Sequence, residues 1–149
     1  MTEAPTETGL EFLRAIIEGR RPQPPISAVL DFELVAAEPG EATFEGMPGE
    51  QFYNPMNTVH GGYMATLLDS ALGSAVMTRM PAGTAYTTAQ LSVNLLRPVL
   101  ADTGKLRAVG RAIHVGRTIA TAEAHLIGIA DGKLYAHATT TCAVFPARP

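Results

Sequence analysis

One stretch of the chain combines residue types that could do chemistry. A polar loop carries Asn54 and ends in His60-Gly61-Gly62, and the apolar segment that follows, residues 61–78, holds a single full charge, that of Asp69. A carboxylate in apolar surroundings is costly unless it is paired, hydrogen-bonded or protonated. Such groups often have a catalytic role, so Asp69 is the first candidate catalytic residue.

The start of the apolar segment supplies the complementary groups. In a helix, residues three and four apart share a face, which places Gly61 and Gly62 two turns before Asp69 on the same side. The first N–H groups of a helix have no intrahelical partners and lie at the positive end of its dipole. They would stabilise an oxygen that gains negative charge during a reaction. A carboxylate and a donor-rich helix start therefore predict an active site on one face of one helix.

The helix itself lacks the charged stripe of a surface helix, so we expect it to be buried nearly all round. A membrane span is the competing interpretation, since about 17–25 apolar residues suffice to cross a bilayer. The central Asp69 and three glycines argue against a span, as does the alternating pattern elsewhere, and we expect no membrane association.

The remaining elements alternate around this helix. Thr8-Gly9-Leu10-Glu11 matches a capping box, and the helix that it begins ends near Glu18. Alternating apolar residues and turn signals predict six strands in two groups, one before and one after the long helix. Long strands joined by short turns must be antiparallel, which predicts an α+β fold. The predicted strands are 32–35, 41–46, 86–95, 106–114, 118–129 and 134–145, and a short helical turn is expected over 26–30.

Composition limits the function classes. The 149 residues, 46% of them hydrophobic, fit one folded domain, and the net charge of −3 gives no reason to expect nucleic-acid binding. Basic residues concentrate between Arg97 and Arg117, where a polyanionic small molecule could bind or where the face is simply solvated. The single cysteine, Cys142, excludes an internal disulfide and is expected to be a buried structural thiol. The acidic N-terminus resembles no signal peptide, so a cytoplasmic location is expected.

The four histidines lie scattered without metal-ligand spacing, and the chain has no phosphate-binding glycine loop and no Gly-x-Ser-x-Gly elbow. We therefore expect no metal and no cofactor.

The element order and the loop–helix signature resemble the hotdog fold, a curved antiparallel sheet around a long helix. More narrowly, the pattern Asn54…His60-Gly61-Gly62…Asp69, with Arg97-Pro98 and His114-Val115-Gly116-Arg117, resembles the phenylacetate-pathway (PaaI-type) acyl-CoA thioesterases. The resemblance covers residues 26–146, so residues 1–25 are interpreted as an added N-terminal helix with a proline-rich linker.

The resemblance implies catalytic roles. The Gly61 N–H would be the oxyanion donor, Asp69 would be general base for water or a nucleophile, and Asn54 would position the thioester or the water. A hydroxyl residue early in the strand after the helix assists the carboxylate in this family. Its distance from Arg97-Pro98 indicates Thr88, with Thr87 as the alternative.

The resemblance also implies partners. Hotdog active sites lie between subunits, so Asp69 and Thr88 would come from one chain and Asn54 and Gly61 from another, in a homo-oligomer that is a dimer or a dimer of dimers (a homotetramer). The acyl-CoA substrate would contact residues of the loop, the helix start and the strand turns. These are His60, Gly62, Arg97, His114, Gly116 and Arg117.

Purely structural roles for these residues, and two other functions, remain open. His60 could only brace its loop, and Asp69 could be a structural carboxylate. A non-catalytic acyl-CoA binding module would bind the same ligand without hydrolysis. A hotdog hydratase or dehydratase would use a histidine–carboxylate pair, which the carboxylate-only pattern disfavours. The acyl group, aryl or medium-chain, is not identified by the sequence.

Overall fold

The computed structural model describes residues 6–148, so the beginning of the predicted N-terminal segment lies outside the described residues. Helices and strands follow in the predicted order, with two short 3₁₀ turns at Glu50–Phe52 and Ala101–Thr103. The helices are α1 (Gly9–Ile17), α2 (Pro25–Leu30) and α3 (Gly61–Met77). The strands are β1 (Phe32–Glu38), β2 (Glu41–Gly46), β3 (Thr84–Leu95), β4 (Leu106–Val115), β5 (Ile119–Gly128) and β6 (Leu134–Pro146).

The six strands form one antiparallel sheet in the order β1-β2-β4-β5-β6-β3, and α3 contacts all six. The predicted α+β hotdog arrangement is confirmed. Buried alanines on β5 and β6 allow the helix to lie close to the sheet. The helix backbone comes close to the sheet at Gly110 of β4, where an added Cβ would lie 2.2 Å from the carbonyl oxygen of Ala71.

The capping box predicted for α1 is present. The Glu11 backbone N–H donates to the Thr8 hydroxyl at 3.2 Å, and the Thr8 N–H donates to the Glu11 carboxylate at 2.7 Å. The helix buries Leu13 and Ile16 and docks on the end of α3 through the Gly9 N–H, which donates to the Met80 carbonyl at 3.0 Å.

The expectation that α3 is buried nearly all round holds for most of the helix but not for one face of the single chain. Most of the helix is buried, including Leu67, Leu68 and Leu72 at its centre. One stripe stays partly open because no strand covers it; it runs along Gly62, Thr66 and Asp69. The open stripe is the face on which the sequence placed the active site. No helix within residues 6–148 is long and apolar enough to cross a membrane.

Strand β3 lies at one edge of the sheet, and none of its residues is fully buried. It contains a β-bulge, because Thr88 pairs with Cys142 and Gln90 with Thr141, which leaves Ala89 as an extra residue. After the bulge Leu91 and Val93 face the core. Leu95 does not complete that face, since it is 51% exposed at the end of the strand.

Candidate active site

The Thr88 hydroxyl donates a hydrogen bond to Oδ1 of Asp69 at 3.0 Å. Asp69 lies in the middle of α3 and Thr88 on β3, so the contact joins the helix to the terminal strand. Both side chains are half-buried, which leaves the carboxylate accessible from the open stripe of α3. The structure thus brings together two of the four residues predicted to be catalytic, and it selects Thr88 over Thr87, which is exposed.

A polar cluster lies behind this pair. Cys142 pairs with Thr88 across the two neighbouring strands, and Tyr86 packs against Gly73 one turn along α3. Burial raises the pKa of the Cys142 thiol, and burial with the nearby Cys142 and Asp69 raises the pKa of Tyr86 to about 12. Both groups therefore stay protonated near neutral pH.

The start of α3 leaves one N–H available to a ligand. His60 is the N-cap, and its Nδ1 accepts from the Gly62 N–H at 2.8 Å. The Gly62 N–H is thereby occupied, contrary to the expectation that both glycines offer bare donors. The Gly61 N–H has no acceptor within residues 6–148. The oxyanion role predicted for Gly61 thus remains open to it, and His60 has the bracing role that the sequence allowed.

Asn54 organises the loop before the helix. Its Oδ1 accepts from the backbone N–H groups of Met56 at 2.9 Å and Thr58 at 3.2 Å, and its Nδ2 donates to the Thr58 hydroxyl at 2.9 Å. An amide nitrogen carries two protons, so one N–H remains for a substrate. Asn54, Gly61 and Arg97 line one cavity of about 270 Å³.

The other predicted substrate contacts lie at a different place. Gly116 and Arg117 form the β4–β5 turn, with the His114 ring packed against Gly116. The turn lines a cavity of about 420 Å³ with Arg79, a residue that the sequence analysis missed although it ends the apolar segment. This cavity adjoins the C-terminal end of α3, whereas Arg97 adjoins its N-terminal end.

Two bases of the basic region are already paired. Arg107 forms a salt bridge with Glu45 and Arg111 with Glu41, each at 3.0 Å across neighbouring strands. Within residues 6–148 Arg97 and Arg117 form no such bridge, so they are the better candidates for anion contact. No group of three or more His, Cys, Asp or Glu side chains in that range is placed to hold a metal ion.

The spacing along α3 limits what one chain can do. Gly61 and Asp69 are eight residues apart, which is about 12 Å along a helix. An oxyanion donor and a base that act on the same carbonyl group must both lie within about 3 Å of reacting atoms. Within one chain, therefore, the Gly61 N–H and the Asp69 carboxylate are too far apart to act on the same carbonyl group.

The family follows from comparison with known proteins. A sequence model described as thioesterase superfamily matches residues 56–134, a segment that includes Gly61, Asp69 and Thr88. The chain belongs to the thioesterase superfamily. Of the candidate catalytic residues in this thioesterase-superfamily chain, only Asn54 precedes the matched segment.

Solved structures agree with the family. A phenylacetic acid degradation-related protein from Ralstonia eutropha, titled a putative thioesterase, is 28% identical; the match covers 89% of this chain and 98% of that chain with a TM-score of 0.79. A mutant of the phenylacetic acid degradation protein PaaI from Thermus thermophilus is 27% identical over 80% of this chain and 98% of that chain, with a TM-score of 0.72. The resemblance to PaaI-type proteins is confirmed.

A curated relative, named putative esterase, comes from Halobacterium salinarum. It is 40% identical over 75 residues, which are 49% of this chain and 48% of the relative. The match thus spans about half the length of that relative.

Proposed function

We propose that the protein hydrolyses an acyl-CoA, with an aryl-acyl or medium-chain acyl group, to the free carboxylic acid and CoA. The observation that carries this proposal is the hydrogen bond from Thr88 to Asp69 on the open stripe of α3, in a chain of the thioesterase superfamily. A carboxylate held by a hydroxyl and open to solvent suits a group that takes a proton from water.

The proposed reaction uses three groups. Asp69 accepts a proton from water while the water oxygen attacks the thioester carbonyl carbon. The carbonyl oxygen gains negative charge beside the Gly61 N–H, and the C–S bond then breaks as CoA leaves and takes up a proton. In the alternative, the Asp69 carboxylate itself attacks the carbonyl carbon, the C–S bond breaks as CoA leaves and takes up a proton, and water then hydrolyses the resulting anhydride to the free acid and Asp69. Asn54 would position the thioester or the water through its remaining N–H.

We propose that this site forms between two copies of the chain. Asp69 and Gly61 lie too far apart in one chain to act together, and α3 exposes its stripe beside the unpaired edge of β3. An unpaired strand edge with half-buried apolar residues is suited to pairing with a second copy. A two-fold dimer would place Asp69 and Thr88 of one chain opposite Asn54 and Gly61 of the other. Two such dimers would make the tetramer that the resemblance implies.

CoA is a polyanion, so its phosphates would contact basic residues near the site. Arg97 beside Gly61, and Arg117 with His114 and Gly116 at the β4–β5 turn, are the proposed contacts. Arg79 also lines the cavity at that turn and would add a second positive charge there.

The first test is release of free thiol from a panel of phenylacetyl-, hydroxybenzoyl- and straight-chain acyl-CoA esters. Asp69→Asn keeps the shape of the side chain but removes the base, so turnover should fall about 10²- to 10⁴-fold. Ser70→Ala, the adjacent half-buried residue, is the matched control and should retain turnover.

The outcomes are separable. Full turnover in folded Asp69→Asn protein would refute the catalytic role of this carboxylate. Saturable binding of the esters without thiol release by the wild-type protein would indicate an acyl-CoA binding module instead.

A further inference from the structure

The bulge in β3 decides where Thr88 points. Before it, Tyr86 and Thr88 face α3, whereas after it Leu91 and Val93 do, so the inward face passes from even-numbered to odd-numbered residues. Side chains alternate strictly along a regular strand. Without the extra Ala89, Thr88 would share the outer face with Gln90 and Ser92. The bulge is therefore what turns the hydroxyl toward Asp69, a common function of bulges beside active sites.

Thr140 holds this bulge from the neighbouring strand. It lies on the inward face of β6 among apolar residues and is only 3% exposed. Its hydroxyl donates to the backbone carbonyl of Gln90, the first residue after the bulge, at 2.8 Å. A buried hydroxyl is costly without a partner, and alanine at the equivalent inward positions 136 and 138 satisfies the packing without one. Packing alone does not explain a threonine here.

The same hydroxyl also lies 3.9 Å from the sulfur of Cys142, which pairs with Thr88 across the two strands. Thr140 thus contacts both the backbone after the bulge and the side chain opposite Thr88. Thr140 is therefore linked to Thr88 in two ways, through the β3 backbone at Gln90 and through the Cys142 side chain.

We propose that Thr140 is a positioning residue for the active site: its hydroxyl fixes the β3 bulge in the conformation that aims Thr88 at Asp69. This inference rests on the proposed function, because it assigns Thr140 a role in that reaction through Thr88. Thr140 is buried, so the proposed role is one of positioning and not of contact with the substrate.

The test is a pair of substitutions at position 140. Thr140→Val keeps the shape and removes the donor, so kcat should fall about 3- to 10-fold, the size expected for one lost hydrogen bond, with KM unchanged. Thr140→Ser keeps the donor and should restore kcat to near the wild-type value. Thr139→Val, on the exposed face of the same strand, is the matched control and should have no effect.

A double substitution separates positioning from general damage. If Thr140 acts through Thr88, then Thr140→Val should lower kcat in the wild-type background but not in Thr88→Val, because the aimed hydroxyl is already absent. Equal losses in both backgrounds, or a Thr140→Ser protein as impaired as Thr140→Val, would overturn the proposal.

Two further measurements keep the outcomes distinct. Amide hydrogen exchange of residues 88–91 should be faster in Thr140→Val than in Thr139→Val, and this result needs no substrate. If Thr140→Val does not fold, Thr140→Cys offers a weaker donor and should give a kcat between those of wild type and Thr88→Val. No turnover in the wild type would refute the proposed hydrolysis, whereas unchanged exchange would refute the role of Thr140.

Discussion

At the residue scale, the backbone N–H groups of two neighbouring glycines at the start of α3 have different roles. The Gly62 N–H is occupied by the His60 ring, while the Gly61 N–H is free within residues 6–148. His60 therefore acts on the site by capping the helix, and this leaves one donor aimed outward at the positive end of α3. The arrangement makes the proposed oxyanion donor a backbone group, which ordinary side-chain substitution does not remove.

Proline can remove that donor without breaking the helix. Gly61 is the first helical residue, where proline is well tolerated, and His60 has the extended backbone (φ −57°, ψ 134°) that a following proline requires. Gly61→Pro should lower kcat about 10²- to 10³-fold by deleting one oxyanion donor. Gly61→Ala is the control, because its Cβ meets the same exposed Leu95 side chain but the N–H remains. Equal losses in the two variants, measured by thiol release, would show that crowding and not the donor matters.

At the element scale, the position of α3 over the sheet depends on one close contact. Gly110 of β4 lies against the backbone of Ala71, two residues beyond Asp69. Backbone atoms of a packed helix cannot move aside singly, so the absence of a side chain at Gly110 sets the depth at which the helix lies. The same depth sets the distance between Asp69 and Thr88.

Gly110→Ala should therefore shift the whole helix and lower the free energy of unfolding by about 1–3 kcal/mol, as overpacked cores do. Urea unfolding of both proteins measures the change. Val109→Ala, on the outer side of the same strand, should lower the free energy of unfolding by less, because the atoms that it removes do not contact the helix. A Gly110→Ala protein as stable as wild type would mean that α3 is free to move and that Gly110 does not fix its position.

At the scale of the whole molecule, the proposed site needs two chains. Asp69→Asn and Gly61→Pro each remove a group from a different side of the proposed interface. When the two variants are unfolded, mixed and refolded together, they should form hybrid dimers. Each hybrid dimer should have one site that carries both substitutions and one site that carries neither. Random pairing gives about one quarter of the wild-type turnover.

Each variant refolded alone is the control and should give almost no turnover. If the mixture is as inactive as the separate variants while both still dimerise, then both groups belong to a site within one chain. Sedimentation of each sample checks the oligomeric state.

The sequence by itself determined the elements and the residue types of the site. Local signals were sufficient for this: the capping box at Thr8, the uncharged segment around Asp69, and strict alternation in the later strands all act within a few residues. The pattern also placed Gly61 and Asp69 on one helix face, because that spacing is fixed by helix geometry alone.

Only the tertiary structure decided which groups meet. The bulge at Ala89 reverses the faces of β3, and Thr140, which donates to the Gln90 carbonyl, lies 50 residues beyond Gln90, so no local pattern indicated that Thr88 points inward. The open stripe of α3 likewise depends on how far a six-stranded sheet reaches around a helix. Such features arise from contacts between distant segments, which a sequence read in order does not display.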